Sequence, residues 1–337
     1  MQYSTFAAID IGSYDVILEI FEISKKQGIR SVDKICHRME LGKDTYTLGK
    51  IRPEMEEELC RVLADFVRIM EGYRVDDYRA TASSAISEAS NSLYVLGKIH
   101  QLTGFSVTVL SNSEQRFLSY KALAAMEDNF NKIIEKGTAI LDLDGGSFQI
   151  SLFDKDALVT TQNIRMGSLR IRERLAGIQS ETEHYEEMVE ELIWNEVSSF
   201  KKMYLKDRKI ENIMLIGDVF TDSVYQNIEE KTTKIISREN FNTWYEKIIR
   251  QSPMELAVKL GIPLENASLM YPSAVIYKCL IDMMGAEHIW IPGVHMTRGI
   301  AYEYAEQMKL LKGGHNFEND ILMAAKNIGK RYAVNRP

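Results

Sequence analysis

The apolar positions of this chain fall into two similar strand-turn-strand runs, AAIDIGSYDVILEIFEI at residues 7–23 and GTAILDLDGGSFQISLF at residues 137–153. Each has an apolar strand ending in an Asp, a tight Gly/Ser turn, and a second apolar strand running back. Asp10, Gly12 and Ser13 of the first run match Asp142 and the Gly145-Gly146-Ser147 turn of the second, which predicts a duplicated domain. SVDKICHRMELG reads as a third strand of a meander after the first hairpin. Residues 53–73 predict a helix: Pro53 suits the first turn, and Met55, Leu59, Val62, Leu63, Phe66, Val67 and Met70 form an apolar stripe. DDYRATAS predicts a strand, 85–103 a helix, 105–111 a strand, and residues 113–134 a further helix. After the second hairpin come a helix over 180–205, opened by Ser180 and Glu183 in capping-box spacing, and a strand in ENIMLIGD. Further helices lead to a strand in HIWIPGV and a helix from about residue 298. This alternation predicts an α/β fold with mixed sheets. The domain boundaries fall at 1–130, 131–300 and 301–337, the last a C-terminal helical stretch.

Composition narrows the class without changing the fold. At 337 residues, 45% apolar and 26% charged, the chain suits two globular domains. No run of about 18 apolar residues appears, and MQYSTFAAID passes straight into a strand, so neither a membrane span nor a targeting segment is expected. The expected location is cytoplasmic. Cys36, Cys60 and Cys279 are far apart and without metal-ligand spacing, and read as buried, reduced thiols. The six histidines are likewise dispersed. A net charge of −7 argues against nucleic acid as partner. Within RMGSLRIRERL, Arg170 is the residue chosen as an anion contact, because the arginines there cannot all face one site.

The paired turns suit a phosphate chain lying in a cleft shared by the two halves. Glycines let backbone N–H groups approach an anion, a Ser adds a hydroxyl donor, and a strand-end Asp holds a divalent cation. The alternative for either copy is an ordinary hairpin.

AAIDIGS at 7–13, ATASSAISEASN at 80–91, LSNSEQRFLSY at 110–120, LDLDGGSFQIS at 141–151, RMGSLR at 165–170 and TRGIAYEY at 297–304 stand in one order. In that order they resemble the exopolyphosphatase and guanosine pentaphosphate phosphohydrolase (Ppx/GppA) family of the actin, sugar-kinase and Hsp70 superfamily. The resemblance implies two ribonuclease-H-like (actin-like ATPase) domains, each a mixed sheet flanked by helices, with a cleft between them. It also implies hydrolysis of terminal phosphoanhydride bonds with Mg2+, a polyphosphate or a guanosine or adenine nucleotide as ligand, and a homodimer. Residues 317–337 resemble the entry to an HD-type helical module.

Carried over by position, Gly12, Ser13, Asn91, Gly145, Gly146, Ser147 and Arg170 would bind phosphate, and Asp10 and Asp142 the metal. Asp15 and Asp144 are further carboxylates near the turns. The catalytic positions depart from the family: Gln115 and Gln149 stand where two glutamates are expected. A neutral amide cannot take a proton from water. Ser87 replaces a phosphate-binding Arg, Gly217-Asp218-Val219-Phe220 replaces a Gly-Gly-Thr loop, Thr297-Arg298-Gly299 replaces Arg-Glu-Gly, and Asp144 replaces a turn glycine. Asp218 would repel an anion. Glu114 is either a substitute base or, with Ser111, a capping box. The resulting expectation is a phosphate-binding protein with weak or lost hydrolysis; the alternative is a non-catalytic nucleotide- or polyphosphate-sensing module.

Overall fold

The computed structural model describes residues 3–126, 130–155, 157–176, 185–205, 208–227 and 234–311, with residues 322, 325, 326 and 329. The described chain forms two compact units. One holds residues 1–125 with 294–314, and the other holds 126–293 with 315–337.

In the first unit, the strands are β1 (Ser4–Ile11), β2 (Asp15–Ser24), β3 (Gly28–Arg38), β4 (Asp77–Ala82) and β5 (Val107–Val109). They form one sheet in the order β3-β2-β1-β4-β5. β1 pairs antiparallel with β2 and parallel with β4. Its alternation decides what covers each face. Ile9 and Ile11 pack with Leu59, Leu63 and Phe66 of helix Pro53–Tyr73 and with Val95 and Ile99 of helix Ser92–Thr103. Phe6 and Ala8 on the opposite face pack with Ile300, Ala301 and Tyr304 of helix Met296–Gln307. The Phe6 and Tyr304 rings stack with centroids 4.1 Å apart. That helix is pinned further by Arg79 to Glu303 at 2.8 Å and by Lys121 to Glu306 at 2.7 Å. Glu19, buried on β2, accepts from Thr297 Oγ1 at 2.5 Å and from Ser31 Oγ at 2.6 Å.

The second unit repeats the plan. Its strands are β6 (Thr138–Leu143), β7 (Phe148–Asp154), β8 (Ala157–Ile164), β9 (Asn212–Ile216), β10 (Ile235–Ser237) and β11 (His288–Trp290), in the order β10-β11-β9-β6-β7-β8. β6 pairs antiparallel with β7 and parallel with β9, as β1 does with β2 and β4. Leu141, Leu143, Ile150 and Leu152 face Val189, Ile193 and Val197 of helix Tyr185–Phe200, in one core with Tyr277 of helix Leu264–Met284. The α/β fold with two mixed sheets flanked by helices is therefore present, and the two hairpins anchor corresponding strands.

Several elements differ from the sequence pattern. The helix expected over 85–103 is broken into Ser84–Ser87 and Ser92–Thr103, because Ser90 N–H donates to Gly49 O at 2.9 Å and Asn91 turns to meet Ile51. The expected helix over 113–134 is helical over Asn112–Met126 and Phe130–Ile134, with residues 127–129 outside the described residues. Helix Leu41–Leu48, β8 and β10 are additional. Cys60 is buried as expected, but Cys36 is exposed on β3 and Cys279 partly so. The Ser180–Glu183 capping box and the 331–337 end of the tail lie outside the described residues. No helix of the described residues is long and apolar enough to cross a membrane.

Candidate functional site

In the first unit, half-buried Asp10 is the next-to-last residue of β1, and its Oδ1 lies 3.5 Å from Thr81 Oγ1 on the adjacent β4. The chain then turns, with Gly12 N–H donating to Asp15 O at 2.9 Å, so that this amide is engaged inside the turn. The Ser13 side chain is 1% exposed. Its Oγ lies 2.7 Å from the Tyr46 hydroxyl and 3.3 Å from Ser84 Oγ, and the latter two are 2.8 Å apart. Three hydroxyls so placed satisfy one another in a ring. Asp15, behind the turn, accepts from Cys36 Sγ at 3.3 Å and lies 3.9 Å from Arg38 Nη1. Burial raises the Asp15 carboxyl above the ordinary range. Although Cys36 is an exposed residue, desolvation of its sulfur, then the neighbouring Asp15 carboxylate, pushes the thiol up to about 12, so Cys36 stays a thiol at neutral pH.

Asn91 does not present its amide to this turn. Its Oδ1 accepts from Ile51 N–H at 3.0 Å and its Nδ2 donates to Ile51 O at 2.8 Å, clamping the loop after helix Leu41–Leu48. Asp44, 2% exposed, holds the next residue: it accepts from Arg52 N–H at 2.9 Å and pairs with the Arg52 guanidinium at 2.9 Å.

Ser111 and Glu114 form the capping box. Glu114 Oε2 accepts from Ser111 N–H at 2.7 Å and from Ser111 Oγ at 2.7 Å, while Glu114 N–H returns to Ser111 Oγ at 3.3 Å. The backbone N–H of Ser111 lowers the Glu114 carboxyl below its usual range, which makes it a poorer base. Gln115, the next residue, is 9% exposed and points elsewhere around the helix. Glu114→Ala should therefore cost about 1 kcal/mol of stability, the value of a cap, in a urea titration. It should leave phosphate release unchanged; a large loss of release would make Glu114 the base.

In the second unit, helix Ser168–Leu175 holds the turn from behind. Ser168 N–H donates to Asp144 O at 3.3 Å, Arg170 N–H to Gly145 O at 2.9 Å, and Arg170 Nε to Gly146 O at 2.8 Å. Arg170 thus positions the turn through its Nε. Asp144 N–H donates to Ser147 O at 2.9 Å, and Gly145 N–H to Asp144 Oδ1 at 2.5 Å. Among the described residues no backbone carbonyl accepts from the N–H groups of Ser13, Gly146 or Ser147.

Asp142, Gln149 and Asn163 form one row across β6, β7 and β8. Gln149 is 5% exposed, and its Oε1, like Asn163 Oδ1, has no hydrogen-bond partner among the described residues. The site of the expected glutamate is therefore a buried, neutral acceptor opposite Asp142. Asp142 Oδ1 also lies against Gly217, where a Cβ would approach to 2.7 Å. Asp218 follows as the cap of helix Val219–Asn227: its Oδ1 accepts from Thr221 N–H at 3.1 Å and from the Tyr277 hydroxyl at 3.3 Å. Burial raises the Asp218 carboxyl to about 7. Asp218, expected to repel an anion, is instead this buried cap, and no sequence pattern pointed to Tyr46, Thr81 or Asn163. A Thr three residues after Asp218 was the one available signal.

The two sheets of matching order, each with an Asp next to the end of its first strand and a Gly/Ser turn beyond it, define an actin-like two-domain fold. The chain belongs to the Ppx/GppA phosphatase family, whose model matches residues 19–308. An exopolyphosphatase structure from Cytophaga hutchinsonii superposes with a TM-score of 0.79 at 17% identity, covering 90% of this chain and 98% of that one. Among curated relatives, a bifunctional 3-dehydroquinate synthase/phosphatase of Fusobacterium nucleatum is 21% identical over 310 residues, 84% of this chain and 44% of the relative. Exopolyphosphatase 1 of Mycobacterium leprae is 25% identical over 144 residues, 42% of this chain and 41% of the relative. The chain thus aligns with less than half the length of either curated relative.

Proposed function

We propose that this protein binds a polyphosphate-type anion through the turn amides of Ser13, Gly146 and Ser147, and hydrolyses terminal phosphoanhydride bonds weakly or not at all. The observation that carries this reading is Gln149: buried at 5% exposure, paired across the sheet with Asp142, and neutral where a proton acceptor is needed. A second reading, a polyphosphate- or nucleotide-sensing module without turnover, is favoured by the engagement of Glu114 in its cap.

Magnesium fits this donor set as a companion of the ligand. Among the described residues no group of three or more His, Cys, Asp or Glu could hold a metal alone. Mg2+ needs only one or two carboxylates when phosphates and waters complete its shell, and Asp10 and Asp142 each offer one at a strand end. Bound there, it would neutralise phosphate charge.

The test is restoration of the missing carboxylates. Gln115→Glu combined with Gln149→Glu should raise phosphate release from polyphosphate or guanosine pentaphosphate by about 10²-fold or more, the worth of a positioned base. Parent turnover already within the roughly 1–10³ s⁻¹ of ordinary enzymes would overturn the reading.

A further inference from the structure

Resting on the phosphate-binding reading, we propose that the hydroxyl which the first unit gives to a phosphate is that of Ser84, not that of Ser13. Ser13 and Tyr46 stand behind Ser84 and direct its proton outward.

Strand pairing brings Ser84 to the turn. β4 runs parallel to β1 with Ala82 beside Ile11, and Ser83 N–H carries the pairing one step further by donating to Ile11 O at 3.2 Å. The next residue, Ser84, therefore stands against the turn, its Oγ 3.3 Å from Ser13 Oγ. Tyr46 reaches the same point from helix Leu41–Leu48, which is tied to the turn by Gly42 N–H donating to Ser13 O at 2.8 Å.

The protons decide which hydroxyl can donate to a ligand. Three hydroxyls carry three protons. Two are engaged in the short contacts, Ser13 with Tyr46 at 2.7 Å and Tyr46 with Ser84 at 2.8 Å. The remaining contact, 3.3 Å between the two serines, is longer than the about 2.5–3.0 Å of a good O–H···O bond. One serine proton is therefore weakly held, and an ionised phosphate chain, which offers acceptors, can take it up. Ser13 is 1% exposed whereas Ser84 is half-buried, so Ser84 is the serine that can turn toward an arriving ligand. The bonds then run from Ser13 to Tyr46 to Ser84 to a phosphate oxygen. Each hydroxyl donates to the next, and each bond polarises the one after it. Ser13 keeps its amide for the same phosphate.

Calorimetric titration of the full chain with tripolyphosphate and Mg2+ tests the assignment. Ser84→Ala should weaken binding about tenfold, the loss of one hydrogen bond to a charged acceptor. Ser13→Ala keeps the amide and removes only the inner end of the chain of hydroxyls, and should weaken binding about twofold. Ser84→Thr and Ser84→Val match in shape and differ in the hydroxyl, so the Thr variant should bind about fivefold more tightly or better. This pair carries the test if Ser84→Ala does not fold. Weaker binding by Ser13→Ala than by Ser84→Ala, or equal affinity of the Thr and Val variants, would overturn the proposal while leaving phosphate binding intact. Absence of binding by the parent chain would overturn both.

Discussion

Gly167→Ala should destabilise the protein by about 3 kcal/mol or more, a cost at the upper end for overpacking. The backbone dihedral is not the reason, since Gly167 lies at φ −84 and ψ 168, which any residue adopts. The obstacle is backbone on backbone: the added methyl would sit 2.2 Å from Asp144 O and 2.4 Å from the Gly145 carbonyl. Neither is a flexible side-chain tip. Relief requires the turn and the start of helix Ser168–Leu175 to separate, breaking the bonds from Ser168 N–H and Arg170 N–H to the turn carbonyls. Gly97→Ala is the matched control. Gly97 lies inside helix Ser92–Thr103 with nothing within 4 Å of the new Cβ, and should gain about 0.5–1 kcal/mol from better helix propensity. Urea unfolding of the two variants should show opposite signs. A Gly167→Ala protein as stable as the parent would mean that the turn is not held as described.

The second large effect is the pH dependence of stability through Asp218. Asp218 is buried in the second unit, with its Oδ2 and the Ser273 Oγ both buried and lacking a well-formed hydrogen bond. Burial raises its carboxyl from 3.8 to about 7, and Asp222 adds to the rise. Asp142, Asp218 and Asp222 all lie near enough to raise the Tyr277 phenol as well, though burial is the larger cause there. Because the folded form holds its proton more tightly than the unfolded one, the stabilisation is fully present below pH 3.8 and is lost as pH rises through about 7. A shift of this size corresponds to about 4 kcal/mol between those limits. Asp218→Asn keeps an acceptor for Thr221 N–H and supplies a permanent donor toward Ser273. Its unfolding free energy should lack this decline, so that it gains on the parent between pH 5 and pH 8. Parallel pH profiles for the two proteins would show that Asp218 is ionised inside the fold without penalty.

The hairpins were legible because short apolar runs, an Asp near the strand end and small turn residues are local signals, and β1, β2, β6 and β7 fall on them. Helix Pro53–Tyr73 was legible from its apolar stripe and its first-turn proline. The break at 88–91 was not, because the partner that stops the helix is Ile51, 40 positions away from Asn91. The same holds at the site. The sequence pointed to the turns but not to how their atoms are engaged: the Tyr46 hydroxyl that meets Ser13 is 33 positions distant and belongs to no motif. Asn91, Arg170 and Ser13 are all polar residues near a phosphate motif, and each hydrogen-bonds another protein group: Ile51 O, Gly146 O and the Tyr46 hydroxyl. Glu114 was the exception, since Ser-x-x-Glu is itself a local device and its two meanings differed only in where the carboxylate pointed.

The most direct test of binding with little or no hydrolysis is the ³¹P spectrum of tripolyphosphate and Mg2+ followed over hours in the presence of equimolar protein. The account predicts shifted or broadened tripolyphosphate resonances with little or no growth of orthophosphate. Orthophosphate appearing at ordinary enzymatic rates, or tripolyphosphate resonances unchanged by the protein, would contradict it.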